Sequence, residues 1–398
     1  MKVYIVSANW GGGGPGGIVK DLYYTLVENG VEVRFGYSRS TTPNDVNSFR
    51  FGTKLDVYSH AFLTRLFDRG GFYSKRATKA LIKDILTFKP DIISIQNPLG
   101  YTLNIPQLMR FVDAAGIPTF YTLHDCWLFT GHCTTEICDK LKTGCGNCPN
   151  IREFPASFFV DNSKKNLLYK KTHFANIKNL SFISCSKWIF DLAKKSYLRN
   201  YKNTIINNGI DLSVFKHTVS DFRQKHGLEK KNIILGVASV WSKRKGQEYF
   251  CDLTKYFDDD WKVVLVGKGL KKKTRSCKNI LCLDGTNDVS ELVKIYSSAD
   301  VFVNPTVGDN YPTVNLEAIA CEVPVVTFDT GGSSEMIGLC GKVVEKGNIH
   351  ELANSIRKVV ENKPDKSLFQ QQSRDFDKRI KYKQYYELFK EAYLTNKD

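Results

Sequence analysis

The chain has 398 residues, 42% apolar and 25% charged, with a formal net charge of +16 and eleven cysteines. This length exceeds the roughly 250–300 residues at which a single core stops growing, so two domains are expected, and the composition is that of an ordinary folded protein. The longest uncharged stretch, Ile92 to Met109, is interrupted by Asn97, Pro98, Asn104 and Pro106 and falls short of the ~20 mostly apolar residues of a membrane span.

Met1 to Ser7 is a short β-rich apolar run that ends in glycines. It lacks the long apolar core and cleavage site of a secretory signal, which predicts a cytoplasmic chain with reduced thiols in place of a disulfide framework. The glycine loop Gly11 to Gly17 follows, then helical spacing of Ile18, Leu22, Thr25 and Leu26. Further strands are predicted at Val31 to Tyr37, Ile92 to Ile95, Thr119 to Leu123 and Phe182 to Cys185. Strands alternating with helices imply a parallel sheet covered on both faces.

The pattern halts at Ile205 to Phe215, a polar stretch read as a linker. It restarts at Ile233 to Ser239, Lys262 to Val266, Ile280 to Leu283, Val301 to Asn304 and Val323 to Phe328. The expected fold is therefore α/β with two doubly wound units, closed by an amphipathic helix within Ser373 to Leu394 that carries Phe376, Ile380, Tyr385, Tyr386, Phe389 and Tyr393.

Several segments point to chemistry. Asn304 to Ile337 places Asp309 eight residues before Glu317 across a turn containing Pro312, and Glu317 opens an apolar helical run. A loop feeding a helix directs N–H groups at a phosphate or a polyhydroxylated ligand, and carboxylates accept strongly from hydroxyls. The turn Gly331-Gly332 before Ser333 repeats the pattern. The Gly11 to Gly17 loop gives backbone the freedom to approach a phosphate, although it is neither a Walker loop nor a GxGxxG. Trp241 to Gly246 gathers Lys243, Arg244 and Lys245 after an apolar strand, and His124-Asp125 ends the strand Thr119 to Leu123. At strand ends of open sheets such groups lie where ligands bind.

Cys133, Cys138, Cys145 and Cys148 have C-x4-C-x6-C-x2-C spacing, compatible with a tetrahedral structural zinc closed by the four thiolates, one of which His132 could replace, or with four reduced thiols. Asp161 to Ile205 is rich in lysine, Lys170 and Lys171 among them, with Trp188 and other aromatics interspersed. Such a face suits an anionic membrane, nucleic acid, or only solvent. Phe62 to Leu86 mixes cations and apolar residues, consistent with a core helix or a membrane-surface segment.

The acid-x7-acid segment resembles the signature of retaining GT-B nucleotide-sugar glycosyltransferases (family 4, group 1), and the block from His124 to Pro149 is similar to the capsule and colanic-acid-type subgroup. The resemblance implies an N-terminal acceptor-side domain (1–207, with a Cys-rich insertion at 131–150), a donor domain (208–375) facing it across a cleft, and a C-terminal helix (376–398) returning to the first domain. It implies that Asp309 reaches hydroxyls of the transferred sugar, that Glu317 reaches the donor ribose, and that Asn310, Tyr311, Pro312 and Thr313 line the donor site between them. Gly16 and Gly17 are expected near the pyrophosphate, Gly285 and Leu283 near the base, and His124 near the reacting carbon, oriented by Asp125. Arg244 and Lys245 would clamp the leaving diphosphate with no catalytic metal. The chain departs from the family in having Asp309 where glutamate is usual and Ser239 where an arginine is usual.

The implied activity is transfer of a hexose from a UDP or GDP sugar to a hydroxyl of a lipid-linked oligosaccharide in surface polysaccharide synthesis, by a cytoplasmic protein at the periphery of the inner membrane face. The alternatives are a nucleotide-sugar epimerase on the same scaffold and a non-catalytic basic protein bound to membrane or nucleic acid. No recognised nucleic-acid motif is present, and nucleic acid is not an expected partner.

Overall fold

The computed structural model describes residues 1–11, 14–135, 138–286 and 288–397. Gly12 and Gly13 of the glycine loop, Glu136 and Ile137 of the Cys-rich insertion, and Asn287 and Asp398 lie outside the described residues. The chain forms two compact units, Met1–Asn207 together with the segment from Lys381 onward, and Asn208–Ile380.

Among the described residues the first unit holds seven strands: β1 (Lys2–Ser7), β2 (Glu32–Tyr37), β3 (Ser48–Arg50), β4 (Ile92–Asn97), β5 (Thr119–Leu123), β6 (Leu180–Ser184) and β7 (Asn203–Ile205). Their order is β3-β2-β1-β4-β5-β6-β7, every pair parallel. Central strands read as continuous apolar runs because helices cover both faces of a parallel sheet. Val3 to Val6 and Ile92, Ile93 and Ile95 are fully buried accordingly. Because β1 lies between β2 and β4, winding reverses between β1 and β4, and the loop after β1 opens at that switch point, the ligand end of such sheets.

The second unit holds β8 (Asn232–Val240), β9 (Trp261–Lys268), β10 (Ile280–Leu283), β11 (Val301–Asn304), β12 (Val325–Phe328) and β13 (Gly341–Val344), in the order β10-β9-β8-β11-β12-β13. Its switch point lies between β8 and β11, so the loops beginning at Trp241 and Pro305 leave the sheet side by side. The expected α/β class with two doubly wound units is the one observed.

The C-terminal helix spans Lys378–Thr395. Its part from Lys381 onward belongs to the first unit, where Tyr382, Tyr385 and Phe389 are buried with Val3, Ile5, Phe120 and Ile183. The rings of Phe389 and Phe120 are 5.0 Å apart. Spacings of three and four residues put these aromatics on one stripe, and burying each contributes about 2–3 kcal/mol. Ile380, expected on that stripe, is exposed, and Phe376 lies before the helix begins.

The stretch read as a linker carries the boundary between the units, at Asn207 and Asn208, although its first residue ends β7 and its Ile210 pairs with Asp377 in a parallel bridge. One further expectation needs correction. Phe62 to Leu86 is not one segment: a helix Lys54–Phe67 ends at Asp68 in the left-handed region, and a second helix, Lys75–Phe88, starts after the Gly70-Gly71 turn. Among the described residues no helix is long and apolar enough to cross a membrane.

Candidate functional site

In the second unit three loops meet at Asp309. The first leaves β8, where buried Trp241 donates its indole N–H to the Val266 carbonyl at 3.0 Å and anchors the turn. Gly246, with φ +73°, closes the loop and begins the helix Gln247–Leu253; a Cβ there would stand 2.0 Å from the Pro305 carbonyl oxygen, so only glycine lets the β8 and β11 loops touch. The second loop leaves β11 and is laced to the first: the Arg244 carbonyl accepts from the Val307 N–H (2.9 Å) and the Thr306 hydroxyl (3.1 Å). The third is the Gly331-Gly332 turn, whose Gly332 N–H donates to the Asp309 carbonyl at 2.9 Å. Gly331 has φ +61°, and a Cβ on it would lie 1.9 Å from that same oxygen.

These backbones fix the charges. Lys245 Nζ is 2.5 Å from Asp309 Oδ2, and Arg244 Nη1 is 3.5 Å from Oδ2 while donating to the Gly308 carbonyl at 2.7 Å. Burial raises the Asp309 pKa, but Lys245 and Arg244 outweigh it and hold the carboxyl below its usual range. The site thus carries one ionised acid against two cations. Ser239, where the family arginine was expected, lies exposed near the end of β8, and Arg244 brings its charge to Asp309 from the next loop.

Glu317 sits in the helix Thr313–Ala320, which starts after Pro312 with no side-chain cap. Burial raises its pKa against hydrogen bonds from the Tyr296 and Thr313 hydroxyls, the former at 3.0 Å. Tyr296 is fully buried and escaped sequence reasoning because an aromatic at helical spacing reads as core. Asn310 and Tyr311 are buried between the acids. Asn315 ties the helix to its surroundings, accepting from Asn304 at 2.8 Å and donating to the Ser333 carbonyl at 3.1 Å. Gly285 lies against the end of β9, its Cβ position 3.6 Å from Gly267 Cα, and Leu283 ends β10.

In the first unit Gly16 packs on Gly11, where a Cβ would come within 2.2 Å of the Gly11 carbonyl oxygen, and Gly17 donates to Gly14 at 3.1 Å at the start of the helix Pro15–Glu28. His124 follows β5. Its Nε2 is 3.1 Å from Gln96 Oε1, whose amide donates to Ser94 Oγ at 2.8 Å. That network assigns the proton to Nε2, and burial lowers the ring pKa to about 4, so the imidazole is neutral. Gln96 is thus a partner of His124 that the sequence did not point to. Asp125 accepts the Trp127 N–H at 2.9 Å, and burial pushes its pKa up to about 6 against that bond and the nearby Lys170.

Lys170, counted as part of a basic surface, is instead buried. It donates to the Trp127 and Thr130 carbonyls at 2.5 and 2.8 Å and lies 3.6 Å from the Trp127 ring centroid. Both nitrogens of His132 are engaged away from the thiols: its Nδ1 bonds Asp68 at 2.6 Å and its Nε2 bonds the Glu153 carbonyl at 3.2 Å, both acceptors, which fits an imidazolium. Burial opposes its charge, and the Asp68 bond and charge prevail, raising its pKa. Cys133 accepts from Cys148, which lowers the Cys133 pKa and raises that of its partner, while Cys145 interacts electrostatically with Cys133 and Cys138. Among the described residues no group of three or more such side chains is set to hold a metal ion.

Two doubly wound Rossmann-like units, one presenting paired cations and an acid at its switch point, are the component domains of the GT-B glycosyltransferase fold. The chain is a glycosyltransferase. Residues 231–362 match the family model described as glycosyl transferases group 1. It is similar to a putative colanic acid biosynthesis glycosyl transferase, WcaC, of Escherichia coli K12, with 25% identity over 358 residues covering 85% of this chain and 86% of that one. It is also 25% identical over 189 residues to the Escherichia coli UDP-Gal:alpha-D-GlcNAc-diphosphoundecaprenol alpha-1,3-galactosyltransferase, covering 43% and 48% of the two chains. The fold matches that of Anabaena HepE in complex with UDP and glucose, with a TM-score of 0.69 and 16% identity across 98% of this chain and 100% of that one.

Proposed function

We propose that the protein is a retaining glycosyltransferase of bacterial surface polysaccharide synthesis that moves a hexose from a UDP or GDP sugar to a hydroxyl of a lipid-linked oligosaccharide at the inner membrane face. The observation that carries this reading is the meeting of Arg244 and Lys245 with Asp309 at the β8–β11 switch point, one turn before the helix that bears Glu317. The names of two similar proteins, one of colanic acid biosynthesis and one acting on a diphosphoundecaprenol acceptor, support the acceptor class. The UDP and glucose bound by a protein of the same fold support the donor class.

In this reading Lys245 exchanges partners during the cycle. Without donor it is neutralised by Asp309; the donor diphosphate displaces the carboxylate, which then accepts from sugar hydroxyls while Glu317 accepts from the ribose. As the bond between the anomeric carbon and the diphosphate oxygen breaks, the electron pair leaves with the diphosphate, where Lys245, Arg244 and the N–H groups before Val314 stabilise the growing charge. Preorganised donors of this kind contribute about 10²–10³ in rate apiece. The acceptor oxygen bonds the anomeric carbon from the same face, and its proton passes to the departing diphosphate. Two cations fill the place of a divalent ion in this scheme.

The four thiols from Cys133 to Cys148 belong to the proposal as ligands of a structural zinc that would brace the segment after His124. Their donor chemistry suits zinc, and the contact between Cys133 and Cys148 already brings two sulfurs together.

Thermal stabilisation by UDP, GDP and their sugar conjugates tests the donor reading, because a ligand that binds only the folded state raises its stability. A shift with one nucleotide that is lost in Glu317→Ala supports it. No shift with any of them overturns it.

A further inference from the structure

We infer that one face of the first unit, built from the helix Lys54–Phe67 and the loop that follows the Cys-rich insertion, docks on a bilayer of anionic lipids. The inference deepens the reading of a lipid-linked acceptor by assigning the surface that meets the membrane, and it stands on geometry separate from the donor site.

The helix buries Val57 in part and His60, Ala61 and Thr64 against the unit. The opposite stripe, at spacings of three and four residues, carries Leu55, Tyr58, Phe62, Arg65 and, just past the helix end, Arg69. Leu55 is 75% exposed and Tyr58 70%. From Leu55 to Phe62 this apolar stripe runs about 10 Å along the helix. Single exposed apolar residues on a surface need no explanation, but a continuous row of three large ones does.

A second apolar element joins the end of the row. The Phe158 N–H donates to the Arg65 carbonyl at 2.9 Å, and Asn162 donates to the Phe67 carbonyl at 2.8 Å. Those bonds hold the loop at the C-terminal end of the stripe, where Phe158 and Phe159 stand out, the latter 77% exposed.

Charge decides the occupant. Lys54, Arg65 and Arg69 flank the stripe, and exposed Arg152, Lys164 and Lys165 border the loop. The acids of these segments are fewer and mostly engaged: Asp68 is buried against His132, Asp56 closes the capping box with Thr53, and exposed Asp161 accepts the Cys148 and Ser163 N–H groups. With exposed Glu153 they leave the cations in excess on this face. Two copies of the chain meeting through this face would set these cations against each other, which costs association. Aromatic rings framed by arginine and lysine suit the boundary between acyl chains and anionic headgroups, where rings insert and long cationic stems reach back to phosphate. The lysine-rich stretch after Asp161, read from sequence as suited to a membrane, nucleic acid or solvent, contributes its first exposed residues, Lys164 and Lys165, to this face.

Co-sedimentation with vesicles tests the assignment, using full-length protein with phosphatidylglycerol and phosphatidylethanolamine on one side and phosphatidylcholine alone on the other. The wild type is expected to bind the anionic vesicles and to dissociate as salt rises. Phe62→Ser/Phe159→Ser and, separately, Arg65→Glu are each expected to weaken binding about tenfold or more, with the nucleotide-induced thermal shift unchanged. Variants that bind as the wild type does would overturn the surface while leaving the membrane reading standing. A wild type that ignores anionic vesicles would overturn both, and the nucleotide shift would still report the donor site. Loss of a dimer in the variants without any change in vesicle binding would assign the face to a second copy and overturn the proposal.

Discussion

Lys245 Nζ and Asp309 Oδ2 stand 2.5 Å apart, although 64 residues separate them in the chain. The contact exists because two glycines with positive φ, Gly246 and Gly331, let three loops close on one carboxylate. It makes the acid and the cation a unit whose members are expected to fail together.

Lys245→Met is predicted to lower kcat by about 10²–10³ and to leave the longer contact to Arg244 as the ion pair of Asp309. Adding Asp309→Asn to that variant is expected to cost less than the two single losses combined, since each single change already breaks the shared pair. Steady-state kinetics of the four proteins measures this coupling.

Asp309 is one methylene shorter than the glutamate usual in the resembled family. Asp309→Glu is predicted to keep the chain folded, because the carboxylate retains its two cations, and to change the ranking of donor sugars by up to about 200-fold in kcat/KM, the scale of a single altered contact. Competition between UDP-glucose, UDP-galactose and the corresponding GDP sugars reads the ranking.

Glu317 is half-buried, and the burial of its carboxyl raises the pKa. A carboxyl whose folded pKa lies above its unfolded value stabilises the fold fully below the unfolded value, about 4.3. That contribution is lost as pH rises through the folded value. Glu317→Gln removes the ionising group, so its Tm is predicted to exceed that of the wild type near pH 8, with the gap closing toward pH 4. Nucleotide binding is predicted to weaken in the same variant. Calorimetric scans across pH check the first statement and titration with nucleotide the second.

Lys170→Met is predicted to destabilise the first unit by about 3 kcal/mol, because the Trp127 and Thr130 carbonyls are left buried without their donor. The effect appears as a lower urea midpoint. A surface lysine of the same helix, Lys165→Met, is expected to shift it by less than about 0.5 kcal/mol.

Purified protein is predicted to hold about one zinc per chain, released on treatment with a thiol-directed mercurial. Elemental analysis that finds only traces removes the metal and leaves four thiols.

Most of both sheets was legible because their central strands are buried on both faces and therefore spell unbroken apolar runs, as in Lys2–Ser7 and Asn232–Val240. The edge strands Ser48–Arg50, Asn203–Ile205 and Gly341–Val344 were not, since they are half solvated and carry little apolar sequence. The break between the helices Lys54–Phe67 and Lys75–Phe88 was marked by Gly70-Gly71 but masked by apolar residues on both sides. In the site, Asp309, Glu317 and the Arg244-Lys245 pair carried their own spacing. Gln96 beside His124 and Tyr296 beside Glu317 did not, because each belongs to a separate element and meets its partner only through the sheet. The bond that the Asp125 carboxylate accepts from the Trp127 N–H was not legible either, because it depends on the local turn after the strand.

The most direct test of the central claim is transfer of radiolabelled sugar from UDP and GDP donors into the lipid extract of bacterial membranes, with wild type and Lys245→Met compared side by side. The account predicts label in the lipid fraction with one donor, release of the matching nucleoside diphosphate, and loss of both in the variant. Label that enters lipid equally well with the variant, or a wild type that transfers from neither donor, contradicts it.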